Sequence, residues 1–164
     1  MVKWWHLLAI PICGVALWEL GMLSVHQLTR LELYDQAEKY ARERNKPFLV
    51  VGKPMGMYGC GDVNLDIRPS KECPVFVQAD VEDLYMFKDK QFGSVFASHV
   101  LEHVYDIEKA FKELDRIADK TYIAHPFWYS LQKYIPYDHK WIIYSAPPVT
   151  EYIEYRPIAG RNLQ

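Results

Sequence analysis

The apolar positions of this chain fall into three regimes. From Trp4 to Val25 they run almost unbroken, WWHLLAIPICGVALWELGMLSV, close to the roughly 20 residues a bilayer-crossing helix needs. From His26 to Asn45 the chain is polar, lacks Gly and Pro, and keeps a partial apolar stripe at Leu28, Leu31, Ala37, Tyr40 and Ala41. That predicts an amphipathic helix, ended by Asn45 and Pro47. Short apolar runs then alternate with loops. Phe48–Gly52, Val63–Ile67, Val75–Gln78, Ser94–Ser98 and Thr121–Ala124 read as buried strands. Tyr105–Ala118 places Ile107, Ala110, Phe111, Leu114 and Ile117 at helical spacing. The aromatic stretch from Phe127 onward offers two further strands, Lys140–Tyr144 and Tyr152–Tyr155.

Strands joined by short loops and a helix predict an α/β fold with a mostly parallel sheet, its site at the strand carboxyl ends. Three parts are expected: a hydrophobic segment over 4–25, a connecting helix over 26–45 and a domain over 46–164. The first part reads as a single-pass transmembrane anchor with Trp4 and Trp5 in an aromatic belt. Glu19, Pro11 and His6 count against a span. A signal peptide and a buried or interfacial helix are the other readings. If the segment spans, Arg30, Lys39, Arg42 and Arg44 outnumber Lys3 and place the domain on the cytoplasmic side.

A formal net charge of -2 gives no reason to expect a nucleic-acid partner. The three cysteines, Cys13, Cys60 and Cys73, form no Cys-x-x-Cys pair, so no structural zinc site is expected. Cys60 and Cys73 lie near enough in sequence to meet, but two reduced thiols fit an intracellular domain.

The candidate chemistry lies where the strands end. Gly52 and Gly56, in VGKPMG, let backbone approach a ligand closely, although a plain strand-loop turn also uses such glycines. Asp66 ends the second strand, where a carboxylate accepts from ribose hydroxyls. Asp80 follows the third strand and is placed to hold an adenine-edge amine. Both acids also suit ordinary turns. With Lys53, Ile67, Val81 and the Ser98–His99 step, they outline a nucleotide-type cofactor site.

From about Val75 to Pro126 the chain resembles a class I S-adenosylmethionine-dependent methyltransferase of the small Rossmann-like kind. Asp80, Leu84-Tyr85-Met86-Phe87, Asp89 and Phe92-Gly93-Ser94-Val95 match the family pattern of Asp, a Leu-Pro-Phe-like step, Asp, and Phe-Asp-x-Val. Val100–Val104 matches its Val-Leu-Glu-His-Val, and Ala110, Glu113-Leu114 and Arg116 match the helix that follows. The resemblance implies a Rossmann-like sheet flanked by helices, S-adenosylmethionine as cofactor and methyl transfer to an acceptor that the sequence does not identify. A small-molecule acceptor is one expectation, and a membrane anchor would favour a lipid-linked, envelope or sugar-related one. Two features depart from the family. Val50 stands where an acid usually precedes the first glycine, and the stretch from Gly52 to Asp66 is too short and too rich in Gly and Pro for the usual first helix.

These departures leave a second reading, a catalytically inactive scaffold that binds a protein partner. A third, remote reading takes His99-Val-Leu-Glu102-His103 as the His-x-x-Glu-His of a zinc peptidase. That pattern is short, and His99 falls at a strand end rather than within a helix. No metal is expected. His103 is the weak candidate for a catalytic group, with a helix-terminus role as the plainer alternative. The helix itself is expected to open at His99.

Overall fold

The computed structural model describes residues 5–54, 58–125, 138–146 and 149–154, without the side chains of 5–13, 144–146 and 149–154. The elements are α1 (Trp5–Glu43), β1 (Phe48–Val51), β2 (Val63–Asp66), β3 (Phe76–Gln78), β4 (Phe92–Ser98), α2 (Ile107–Ile117), β5 (Ala118–Ala124), β6 (Trp141–Ala146) and β7 (Val149–Glu154). Five strands form one sheet in the order β3-β2-β1-β4-β5, every pairing parallel. β6 and β7 make a separate antiparallel pair. The predicted α/β class and strand positions hold.

The two expected N-terminal segments run together as one helix of 39 residues. Its end is the one predicted. Asn45 takes a left-handed backbone, φ 52°, while Asn45 N donates to Arg42 O and Lys46 N to Ala41 O. These paired bonds satisfy the last carbonyls of the helix. Among the described residues no helix is long and apolar enough to cross a membrane, so the expected transmembrane span finds no support.

The predicted stripe on α1 is partly corrected. Ala37 and Ala41 are buried, but Leu28 is exposed. The buried face also carries His26, Arg30 and Tyr34, which continue the spacing of Ala37 and Ala41 by three or four residues. This face lies on β4, β5 and β1. Ser94 Oγ donates to Ala37 O at 2.6 Å, and a Cβ on Gly93 would lie 2.7 Å from Ala41 Cα. Gly93 therefore stands where the family pattern has Asp because helix backbone passes directly over it.

On the other face, α2 buries Ile107, Ala110, Leu114 and Ile117 in a core with Leu49, Val51, Phe92 and Val95. Ile143 of β6 joins this core. Asp106 caps α2, its side chain accepting from Lys109 N. The helix therefore opens at Ile107 and not at His99. Residues 99–106 are turn. Arg116 ties α2 to the preceding loop, reaching Glu113, Asp89 and the carbonyls of Leu84 and Phe87. This accounts for the Glu113, Arg116 and Asp89 of the motif as one fastening.

Cys60 and Cys73 form a disulfide, which overturns their reading as free thiols. The turn after β1 and the turn before β3 bring their backbones together, with Cα atoms 5.7 Å apart. The bond also removes the thiol argument for a cytoplasmic domain.

Candidate functional site

The carboxyl ends of β1, β2 and β4 open on a cavity of about 310 Å³. Parallel strands put these ends side by side, and the order of the sheet reverses between β1 and β4, where a crevice forms. Of the residues expected from sequence, Gly52, Lys53, Asp66, Ile67, Asp80, Val81, Ser98 and His99 all line it. Gly56 lies outside the described residues. His103, the weak catalytic candidate, lines the same cavity, with Tyr105 and Asp138.

Gly52 is built for close approach. Its φ is +93°, and a Cβ there would fall 2.9 Å from Ser98 O and 2.8 Å from Val100 Cγ2. Asp66 and Asp80 each spend Oδ1 on their own turn, accepting from Arg68 N at 2.8 Å and Glu82 N at 2.9 Å. The turn orients each carboxylate at the cavity, and Oδ2 of each makes no hydrogen bond among the described residues. A ligand with hydroxyl and amine donors fits such a pair.

The described part of 52–62 contains no helix, so the first helix of the family is indeed missing there. α1 and the loop fill the space beneath. Tyr58 packs with Tyr34 and Phe96, Tyr34 in turn meets Phe48, and Tyr58 is not among the residues lining the cavity. Val50 points into this same cluster, where a carboxylate would be stripped of water without a partner.

Arg30 organises the layer. It is 3 % exposed. Its Nε donates to Ser98 Oγ at 3.1 Å, and Nη2 donates to Tyr58 Oη at 3.1 Å. Tyr58 Oη in turn donates to Lys53 O at 3.1 Å. One guanidinium thus spans the end of β4 and the glycine loop. Sequence reading missed it, because an arginine on a polar helix carries no mark of burial.

Behind Ser98 runs a line of polar side chains. His26 Nε2 and His99 Nε2 are 2.7 Å apart, and His99 Nδ1 lies 3.1 Å from Glu102 Oε1. Burial pushes the Glu102 carboxyl upward, but His99, followed by His103, outweighs it and holds the carboxyl below its ordinary value. The contact of the two Nε2 atoms requires one imidazole to donate and the other to accept. Burial, then His99 and Arg30, lowers the His26 imidazole to about 4. His99 itself has a left-handed backbone, φ 54°, a strained state for a residue with a side chain.

The peptidase pattern dissolves in this geometry. His99 and His103 share no helical face, and both His99 nitrogens already face His26 and Glu102.

An open parallel sheet with glycine, two oriented carboxylates and a crevice at the strand ends is the architecture of the Rossmann-like α/β class. Residues 13–121, about two thirds of the chain, match the profile of the methyltransferase domain. The chain belongs to this family, the class I S-adenosylmethionine-dependent methyltransferases. A comparison with curated proteins finds no match.

Proposed function

We propose that this chain binds S-adenosylmethionine in the cavity at the ends of β1, β2 and β4 and transfers its methyl group to an acceptor. The observation that carries the reading is the meeting of Gly52, Asp66, Asp80, Ser98 and His99 around one cavity. The residues suit the cofactor. Oδ2 of Asp66 faces where ribose hydroxyls would donate, Oδ2 of Asp80 suits the adenine amine, and Gly52 leaves backbone bare beside Ser98. The bound cofactor would supply an electrophilic methyl on a sulfonium. The chain's part is alignment of the acceptor, which needs no dedicated base. Tyr58 packs beneath the loop, which favours a working site over a filled, inactive one.

Calorimetric titration of the full chain with S-adenosylhomocysteine tests this. Micromolar binding is expected. Absence of binding by folded protein would move the reading to the scaffold.

The acceptor reading rests on α1. Leu17, Trp18, Leu20 and Leu28 are each more than half exposed, and a lipid surface is the partner that would cover such a row. We infer an acceptor held at a membrane, lipid-linked or drawn from its surface. Flotation of the full chain with anionic liposomes is expected, and a chain left at the bottom of the gradient would remove this part.

A further inference from the structure

Glu102, His103 and His139 each bring one donor atom to within 4.8 Å of the others. Two are buried, Glu102 at 2 % exposure and His139 at 6 %. Neither oxygen of Glu102 has a well-formed hydrogen bond among the described residues, and the charge partner beside it is the half-buried His99, whose Nδ1 lies 3.1 Å from Oε1. A buried carboxylate left in this state costs several kcal/mol unless something compensates it. An ion is the compensation its neighbours fit.

The surroundings are prepared for one. His103 Nδ1 faces Asp138 Oδ2 at 3.3 Å. A carboxylate on one imidazole nitrogen fixes the ring and leaves Nε2 for a metal, the usual outer arrangement of histidine ligands. The segment bearing His139 is clamped to that bearing Glu102. Lys140 N and Trp141 N both donate to Glu102 O, at 2.6 and 3.2 Å, and Trp141 Nε1 donates to Val104 O at 2.9 Å. The nearby cation is turned away, with Lys140 Nζ on His103 O at 2.6 Å and 4.0 Å from the centre of the Tyr105 ring.

We propose that Glu102, His103 and His139 bind a divalent transition-metal ion, Zn²⁺ foremost, at the rim of the cavity. Two imidazoles and one carboxylate are a set that holds zinc with a fourth position open. A tetrahedral ion with bonds of about 2.1 Å holds its ligands about 3.4 Å apart. Small side-chain rotations close the present spacing to that value. His103 and Asp138 also line the cavity, which puts the ion beside the acceptor space. An oxygen of the acceptor is then its natural fourth ligand, a role that rests on the methyl-transfer reading, whereas the site does not.

The full chain, stripped with a chelator, is titrated with Zn²⁺ against a chromophoric competitor and with Co²⁺ by visible absorption. One ion per chain is expected, with the strong absorption of tetrahedral Co²⁺. His103→Ala and His139→Ala should each weaken binding at least about 10-fold, and Asp138→Asn by about 10-fold through the His103 ring. Asp119→Asn, away from the site, should leave it unchanged. No stoichiometric binding, or full binding by both histidine variants, would overturn the proposal. Glu102→Gln is read beside its melting curve, and the partly exposed His103 carries the test if that variant does not fold. Parallel titration with S-adenosylhomocysteine separates the two readings. Metal binding without it leaves the site standing and removes methyl transfer; the opposite result does the reverse.

Discussion

Arg30 on the N-terminal helix donates its Nε proton to Ser98 Oγ at the end of the fourth strand, 3.1 Å away and 68 residues along the chain. The same guanidinium holds Tyr58 Oη. The helix thereby braces residues that line the cavity, Ser98 directly and Lys53 through Tyr58, and is not a handle attached to the domain. In the family a helix after the glycine loop usually backs this region; here α1 supplies the backing from the opposite end of the sequence.

Replacing Arg30 with Met should therefore cost about 1–3 kcal/mol of stability, the scale for orphaning buried hydroxyls. Arg30→Lys should recover little of it, because a single ammonium does not span Ser98 and Tyr58 as the planar fork does. Urea unfolding monitored by circular dichroism checks both. Two variants as stable as the parent would mean the guanidinium is a passenger.

Gly52 and Gly93 are intolerant for different reasons. Gly52→Ala meets both a positive φ and the Ser98 carbonyl, and should cost about 1–3 kcal/mol while weakening S-adenosylhomocysteine binding. Gly93→Ala drives a methyl into the α1 backbone at Ala41. It should lower the melting temperature and leave the affinity of the remaining folded protein near normal. Paired melting and calorimetry separate the two.

Asp66→Ala and Asp80→Ala should each weaken S-adenosylhomocysteine binding by about 1–3 kcal/mol, the loss expected for hydrogen bonds to a buried ligand. Unchanged affinity in both variants would show that the cofactor lies elsewhere.

Stability should fall as pH drops from about 6.5 toward 4. The unfolded chain takes up a proton on His26 near the ordinary value of 6.5, whereas the folded chain resists until about 4. More protons on the unfolded state in that window mean stability rises with pH there. The His26 contribution is fully present above 6.5 and is on the order of 2 kcal/mol. Chemical unfolding at pH 7, 5.5 and 4.5, with His26→Gln as comparison, tests it. An equal slope in parent and variant would defeat the assignment.

Denatured, unreduced protein should show one titratable thiol out of three cysteines, the Cys60–Cys73 pair being oxidised. Reduction should lower stability by about 2–3 kcal/mol, as expected for a closed loop of this length. Three reactive thiols in protein kept from reductants would restore the free-cysteine reading.

The strands of this protein were legible because each is a short apolar run with a clear stop, Gly52 after the first, Asp66 ending the second, Asp80 just past the third, Ser98-His99 at the fourth and His125-Pro126 after the fifth. The position of Asp66, Asp80 and Ser98 at strand ends follows from those closures, and parallel pairing then brings them to one edge. The period of α2 was equally plain, though its start was not. His99 and Glu102 look helical in sequence, but Asp106 caps the helix and the preceding turn is held by the Ser98–His99 corner.

What the sequence alone determined is the order of the strands along the chain, the glycine and acids at their ends, and the family pattern from Asp80 to Arg116. These are local properties, set by side-chain periodicity and backbone freedom. Only the tertiary structure decided that Arg30 and His26 lie under the site, that Cys60 meets Cys73, and that Glu102 and His103 stand beside His139. Each of those pairings joins residues from separate elements, and a polar residue is recognised as buried only when the packed fold supplies its partner.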